Sequence, residues 1–181
     1  MAKAKEIKPA HEDVTRKRLI WFTISLTLIV ASLMVVFAIN KTGNIEGVMI
    51  YEQQVRGHND ALHIAQSDLP PVGGTHHSQW QPCGIYSEPV DAARAVHTLE
   101  HGAVWITYDP GLPAAEIADL RALAGNHEFL LLSPYPGQRS PIVLTSWGVQ
   151  LEVQASDDGR IPAFISRYRL GPTTPERGAA C

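Results

Sequence analysis

The pattern of apolar and polar positions divides the chain into unlike parts. From Leu19 to Ile39 the run LIWFTISLTLIVASLMVVFAI carries no charge over 21 residues. As a helix it would rise about 30 Å, the thickness of a bilayer's hydrocarbon core. Its Ser and Thr hydroxyls can bond to carbonyls one turn back, so they do not interrupt it. A cleaved signal sequence has an apolar stretch of roughly 7–15 residues followed by a small-residue cleavage site. Here the run is longer, and Asn40-Lys41-Thr42-Gly43-Asn44 shows no such site. The expected organisation is a tail at 1–18, a transmembrane helix at 19–39, a linker at 40–57 and one domain at 58–181, the polar stretch from Lys41 to about Leu69 leading into a first strand or docked segment.

Shorter patterns fill that domain. Pro70-Pro71-Val72-Gly73-Gly74-Thr75-His76-His77 is a loop, its prolines fixing extended geometry and its glycines permitting positive φ. Asp91 suits the N-cap of a short helix from Ala92 to about Leu99. The β-branched and aromatic stretch Ala103–Tyr108 predicts a buried strand ended by Asp109-Pro110-Gly111. Pro113 opens a helix through Ala124, with Gly125 as its stop at C′. Phe129–Ser133, Ile142–Ser146 and Gln150–Gln154 predict further strands, and Ile161–Tyr168 a closing helix with Phe164, Ile165 and Tyr168 on one face. GPTTPERGAAC is a tail. Strands and helices mingle without a regular βαβ alternation, which predicts a small α+β domain with a mixed or antiparallel sheet.

Charge adds a direction to this plan. The net charge of -3 conceals six Lys/Arg against three acids before Leu19, and nine Lys/Arg against fifteen acids from Lys41 onward. Arg16, Lys17 and Arg18 immediately precede the apolar run. The positive-inside rule therefore places the N-terminus in the cytoplasm and the domain outside, at the cell (inner) membrane. Arginines of the domain are scattered and form no basic stripe, so nucleic acid is not an expected partner. In an oxidising compartment Cys83 and Cys181 would close a disulfide. Closing a loop of about 100 residues stabilises by up to about 4–5 kcal/mol in the chain-entropy view. Two free thiols, or a cysteine metal ligand without C-x-x-C spacing, are the alternatives.

Histidines supply the candidate chemistry. His76 and His77 follow the glycine turn, His97 and His101 lie four apart, and His58 and His63 lie upstream. On a continuing helix His97 and His101 share a face one turn apart, a spacing that lets two imidazoles hold one ion. His97-x-x-Glu100-His101 also matches the string of inverted zinc proteases, with the Glu as general base. Gly102 and a strand follow at once, however, where the protease motif lies well inside a long helix. Glu100 can equally orient a metal-bound imidazole. The plainer alternative is that His97 and His101 are buried and bonded to backbone at a helix-to-strand corner. Imidazole ligation suits Zn, Cu or Ni better than Ca or Mg, and outside the cytoplasm copper and zinc are the natural ions. Trp80, Trp105 and Trp147 read as core or groove-lining residues. Ser133, Ser140 and Ser146 lack a G-x-S-x-G frame, and Gly73-Gly74 lacks the spacing of a phosphate loop.

The blocks PPVGGTHHSQWQPCGIYSEPV, AVHTLEHGAVWITYDP, PIVLTSWGVQLE, FISRYR and PERGAAC, in that order, closely resemble the actinobacterial-type family known as domain of unknown function 3105. The resemblance covers roughly His58 to Cys181 and implies a membrane-anchored extracytoplasmic domain. In the family pattern the histidine after the double glycine falls on His76, and the H-x-L-E-H-G block on His97, Glu100, His101 and Gly102. The family's paired cysteines fall on Cys83 and Cys181, and an upstream histidine on His58, with spacing different by a residue or two. His63 and His77 do not match. The family carries no established activity.

The leading expectation is a non-catalytic, membrane-tethered domain that binds copper or zinc. Its ligands would be His76, His97 and His101, with Glu100 as fourth ligand or orienting group and His58 as a further donor. The alternatives are an accessory single-span subunit of a larger membrane complex, respiratory or photosynthetic, in which the histidines are structural, and a zinc hydrolase with Glu100 as base. In each case the lipid bilayer is the partner of residues 19–39.

Overall fold

The computed structural model describes residues 10–42, 44–52 and 54–181. Residues 1–9 of the expected basic tail, and Gly43 and Gln53 of the expected linker, lie outside that range. Two compact units result, Met1–Gly43 and Asn44–Cys181.

The described residues of the first unit form one helix, α1 (Ala10–Thr42). Its segment Arg16–Val35 has a mean hydropathy of 2.0 with none of it buried, so it is long and apolar enough to cross a membrane. Large apolar side chains such as Trp21, Phe22 and Leu33 are exposed on it. Thr23, Thr27 and Ser32 turn their hydroxyls onto the carbonyls of Ile20, Thr23 and Leu28 at 2.8–2.9 Å. These bonds satisfy the polar atoms inside an apolar helix.

The second unit is α+β with a six-stranded mixed sheet. In chain order its elements are β1 (Val48–Ile50), β2 (Gly84–Ile85), α2 (Ala92–Glu100), β3 (Val104–Tyr108), α3 (Ala114–Gly125), β4 (Leu130–Pro134), β5 (Ile142–Ser146), β6 (Val149–Val153) and α4 (Arg160–Tyr168). The strand order is β1-β6-β5-β3-β4-β2. Pairs β1/β6, β6/β5 and β5/β3 are antiparallel, whereas β3/β4 and β4/β2 are parallel. Antiparallel β5 and β6 need only the short turn at Trp147 and Gly148, while parallel β3 and β4 are joined through α3.

Side-chain alternation sends the sheet's two faces into two cores. Val104, Ile106, Leu130, Leu132 and Leu144 pack with Leu120 of α3 and with Ile161, Phe164 and Tyr168 of α4. Trp105, Leu131 and Trp147 pack on the opposite face with Ala95, Val96 and Leu99 of α2. Fully buried side chains of the Phe164 or Leu131 kind each contribute about 1.5–3 kcal/mol. The sheet is therefore covered on both faces, and on one of them α2 packs with its flanking loop, Ile64 and Tyr135.

Several expectations are refined. Residues 40–57 are more than a linker: Val48–Ile50 forms the sheet's edge strand, and the compact unit begins at Asn44. Gly125 does not stop α3 at C′. It is the last helical residue, and Asn126 closes the helix in right-handed geometry (φ -91°). The N–H groups of Asn126 and His127 reach back to the carbonyls of Leu123 and Ala124, so no left-handed residue is needed there. The positive φ falls instead on Phe129 (57°), which turns the chain into β4, and that strand starts one residue later than its apolar pattern suggests.

Candidate metal centre

The site is built around the C-terminal end of α2. The Asp91 carboxylate accepts the N–H groups of Ala93 (2.8 Å) and Arg94 (3.2 Å), which fixes where the helix begins. The far end closes on Gly102, whose φ is 108°. Gly102 N–H bonds Leu99 O (3.0 Å) and Ala103 N–H bonds Thr98 O (3.2 Å), the paired pattern of a Schellman ending. A Cβ at Gly102 would come within 2.9 Å of Leu170 Cδ2 and 3.0 Å of Thr174 Cγ2. His101 caps the helix with right-handed backbone angles, so His97 and His101 keep the one-turn spacing and face each other.

The loop after the double glycine is strapped along α2. His77 N–H bonds Ala93 O, Gln81 N–H bonds Arg94 O, and the Thr98 hydroxyl donates to Gln81 O at 2.6 Å. The segment carrying His58 pairs with this loop. His76 N–H bonds Gly57 O (3.0 Å) and Asn59 N–H bonds His76 O (2.8 Å), a parallel bridge of His58 with His76. Three separate stretches of chain thus bring His58, His76, His97 and Glu100 together, and one ligand atom from each lies within 4.8 Å of all the others. This His/Glu group, buried except for His58, can hold a metal ion. Tetrahedral donors 2.0–2.1 Å from a common ion stand about 3.3–3.4 Å apart, so the widest pairs of the group must close by up to about 1.4 Å on binding.

Hydrogen bonds fix the rings' tautomers. Nδ1 of His76 donates to Gly74 O (2.8 Å), Nδ1 of His97 to His77 O (2.7 Å), and Nδ1 of His101 to Ala180 O. A neutral imidazole that spends its one N–H on a carbonyl presents a bare lone pair at Nε2. Those lone pairs meet other acceptors. His97 Nε2 lies 2.9 Å from His101 Nε2, and His76 Nε2 lies 3.0 Å from Glu100 Oε2. The second contact lacks hydrogen-bond geometry, and His76 Nε2 is buried without a hydrogen-bond partner. Each pair needs a cation, either an added proton on a ring or a metal ion. Burial holds His97 below the ordinary imidazole range, opposed by its bond to the His77 carbonyl and reinforced by neighbouring His101. Protonating His97 is therefore the harder choice, and metal binding by it displaces no proton at neutral pH.

His76, His97, Glu100 and His101 are all buried, whereas the side chain of His58 is 49% exposed and stacks on His97 with centroids 4.9 Å apart. His58 Nε2 stands 4.0 Å from Glu100 Oε2. His101 adjoins the four-donor group through His97 and lies outside it. Its Nε2 is also 3.9 Å from Glu176 Oε2. His77 serves through its backbone carbonyl, while its Nδ1 accepts from Gln79 N–H and stands 3.6 Å from Asp60. His63 faces a different groove, beside Val90, Asp91 and Tyr135. Cys83 and Cys181 form a disulfide with Cα atoms 5.0 Å apart.

Sequence reasoning missed the groups that aim the rings. The carbonyls of Gly74, His77 and Ala180 leave no side-chain signature. Trp147 sets its ring edge-on to His76 at 5.8 Å, and Trp80, 39% exposed, covers His101 at 5.6 Å. The adjacency of His76, His77 and Trp80 in HHSQW was the available signal for the second of these. Trp105 is plain core, bonded to Ser133 Oγ at 3.0 Å.

A model of the family described as "Protein of unknown function (DUF3105)" matches residues 58–181. No curated protein and no solved structure matches the chain.

Proposed function

The chain belongs to the DUF3105 family, and we propose that it is a membrane-anchored, extracytoplasmic metal-binding protein for zinc or copper. The ligands are His76, His97 and Glu100, with His58 as the solvent-facing donor and His101 as the ring that neighbours His97. One observation carries this reading: two acceptor-to-acceptor contacts, 2.9 and 3.0 Å, side by side in a buried pocket of carbonyl-oriented imidazoles. Structural histidines at a helix corner would explain the Nδ1 bonds, but they would turn Nε2 toward donors. Glu100 supports a ligand role better than that of a general base, because its carboxylate is buried among the rings and abuts His76. Three nitrogens and one carboxylate oxygen form a donor set that suits zinc and copper(II) and disfavours calcium or magnesium. The apolar helix and the lysine–arginine cluster before it support the anchor and its orientation.

Titration of zinc and copper(II) into the full chain in detergent micelles tests the binding. One equivalent should bind to the wild type, and His76→Ala and His97→Ala should each weaken it by at least about tenfold. Folded wild-type protein that takes up neither ion would end the proposal.

A further inference from the structure

The C-terminal tail is fastened to the metal centre rather than lying free. Glu176 N–H donates to Glu100 O at 2.9 Å, and Gly178 N–H donates to His101 O at 3.0 Å. Ala180 O then accepts His101 Nδ1–H, which fixes that ring's tautomer and aim. One residue later Cys181 is bonded to Cys83. Cys83 itself belongs to the loop that Gln81 ties to Arg94 and Thr98 of α2. The disulfide therefore closes a ring: helix end, tail, sulfur bridge, loop, and back to the same helix.

Besides the bridge, hydrogen bonds hold the tail: those to Glu100 O, His101 O and the His101 ring, and one from Arg177 Nη2 to Gly171 O at 2.7 Å. Glu176, Arg177, Gly178 and Ala180 are exposed. An exposed glycine- and proline-containing segment held by a few hydrogen bonds opens readily. Fraying would remove the carbonyl that orients His101 and would expose the main chain at Glu100 and His101.

We infer that the Cys83–Cys181 disulfide is a redox latch on the metal centre, strong binding requiring the oxidised form. This rests on the metal-binding reading above. The switching step is thiol–disulfide exchange with a thiol reductant. The Cys83–Cys181 S–S bond breaks, two protons end on the two cysteine sulfurs, and two reductant thiols join as the new disulfide. Releasing the tail loosens the ligand Glu100 at its backbone carbonyl and frees His101, whose Nε2 abuts that of the ligand His97 at 2.9 Å; losing such a support of a ligand weakens binding by about 10–100-fold. Reciprocity requires that bound metal resist reduction of the disulfide by the same factor. At 29.6 mV per tenfold for a two-electron couple, this lowers the reduction potential by about 30–60 mV.

The test uses the wild-type full chain in detergent micelles, equilibrated in glutathione redox buffers with saturating zinc or with none. The dithiol fraction, trapped by alkylation, should shift by about 10–100-fold toward the disulfide when zinc is present. No shift overturns the latch, and so does a shift toward the dithiol form, which would make the cysteines ligands themselves. In parallel, the Cys83→Ser/Cys181→Ser double variant should bind zinc about 10–100-fold more weakly. It should also exchange the Glu176 and Gly178 amides faster while its sheet amides stay protected. Equal zinc affinity in a folded double variant removes the latch and leaves the metal centre standing. A folded, oxidised wild type that binds no zinc removes the metal centre, and the latch with it.

Discussion

Replacing Glu100 by glutamine should make the metal-free protein more stable and the metal complex weaker. The carboxylate is 3% exposed, and the groups facing it are the imidazoles of His76 at 3.0 Å and His58 at 4.0 Å. A carboxylate taken out of water costs several kcal/mol unless a countercharge returns that energy. Without metal, the partners that face it are imidazoles rather than a permanent cation. The isosteric amide removes the charge and offers an N–H to His76 Nε2, a buried atom that lacks a partner. A new hydrogen bond of about 1 kcal/mol, with relief of part of the desolvation penalty, gives a net gain of about 1–3 kcal/mol. For a unit of this size, 1 kcal/mol moves Tm by about 3–5 °C, so Glu100→Gln should melt about 3–15 °C higher than wild type in chelator. Zinc at 100 times its Kd should add about 2.7 kcal/mol to the wild type. The variant, having lost its anionic ligand, should need at least about tenfold more zinc for the same rise. Calorimetry of both proteins in micelles, with and without zinc, reads all four states. A variant that is less stable without metal and shifts with zinc as the wild type does would refute the reasoning. Glu100 would then be part of the fold and not of a metal centre.

Other expectations follow from the same geometry. Gly102→Ala should destabilise the domain by about 2–4 kcal/mol, because φ of 108° is strained for alanine and the added Cβ overlaps Leu170 and Thr174; denaturant melts would read the loss. Asp91→Ala should cost about 1 kcal/mol by the same measurement, through the two amides it leaves uncapped. His97 is held below its ordinary value of 6.5, so the folded state binds fewer protons there than the unfolded chain. Its contribution is therefore complete above about pH 6.5 and is lost as pH falls from there toward the folded-state value, and zinc affinity should drop over the same acid range. His97→Ala should flatten both pH profiles. A membrane-impermeant label on a cysteine placed at exposed Val55 should react in intact cells, and labelling only after lysis would reverse the topology.

Legibility in the sequence followed the range of the interaction. The α1 segment, the strand at Val104–Tyr108 and the α2 start at Asp91 rest on local periodicity and capping, and local physics set them. His97 and His101 were paired by helical spacing alone. What the local pattern does not carry is pairing across distance. The three-residue β1 strand is apolar on too short a stretch to announce itself, and it is a strand because β6 offers it a partner. His58 and Glu100 entered the expected ligand set only as additional donors. It is the bridge of His58 with His76, and the loop strapped along α2, that bring them among the buried rings. His101 was expected as a full ligand from its spacing, yet the tail carbonyl of Ala180 fixes its aim and leaves it beside the four donors. Backbone acceptors 20 and 79 residues away decide the tautomers of His97 and His101, and no side-chain motif encodes them.

X-ray absorption spectroscopy of the zinc- or copper(II)-loaded full chain tests the metal centre most directly. The spectrum should show nitrogen and oxygen ligands at about 2.0–2.1 Å with the outer-shell scattering of at least two imidazoles, and His76→Ala and His97→Ala should each remove part of it. A spectrum of oxygen ligands without imidazole scattering, unchanged in either variant, would contradict the account.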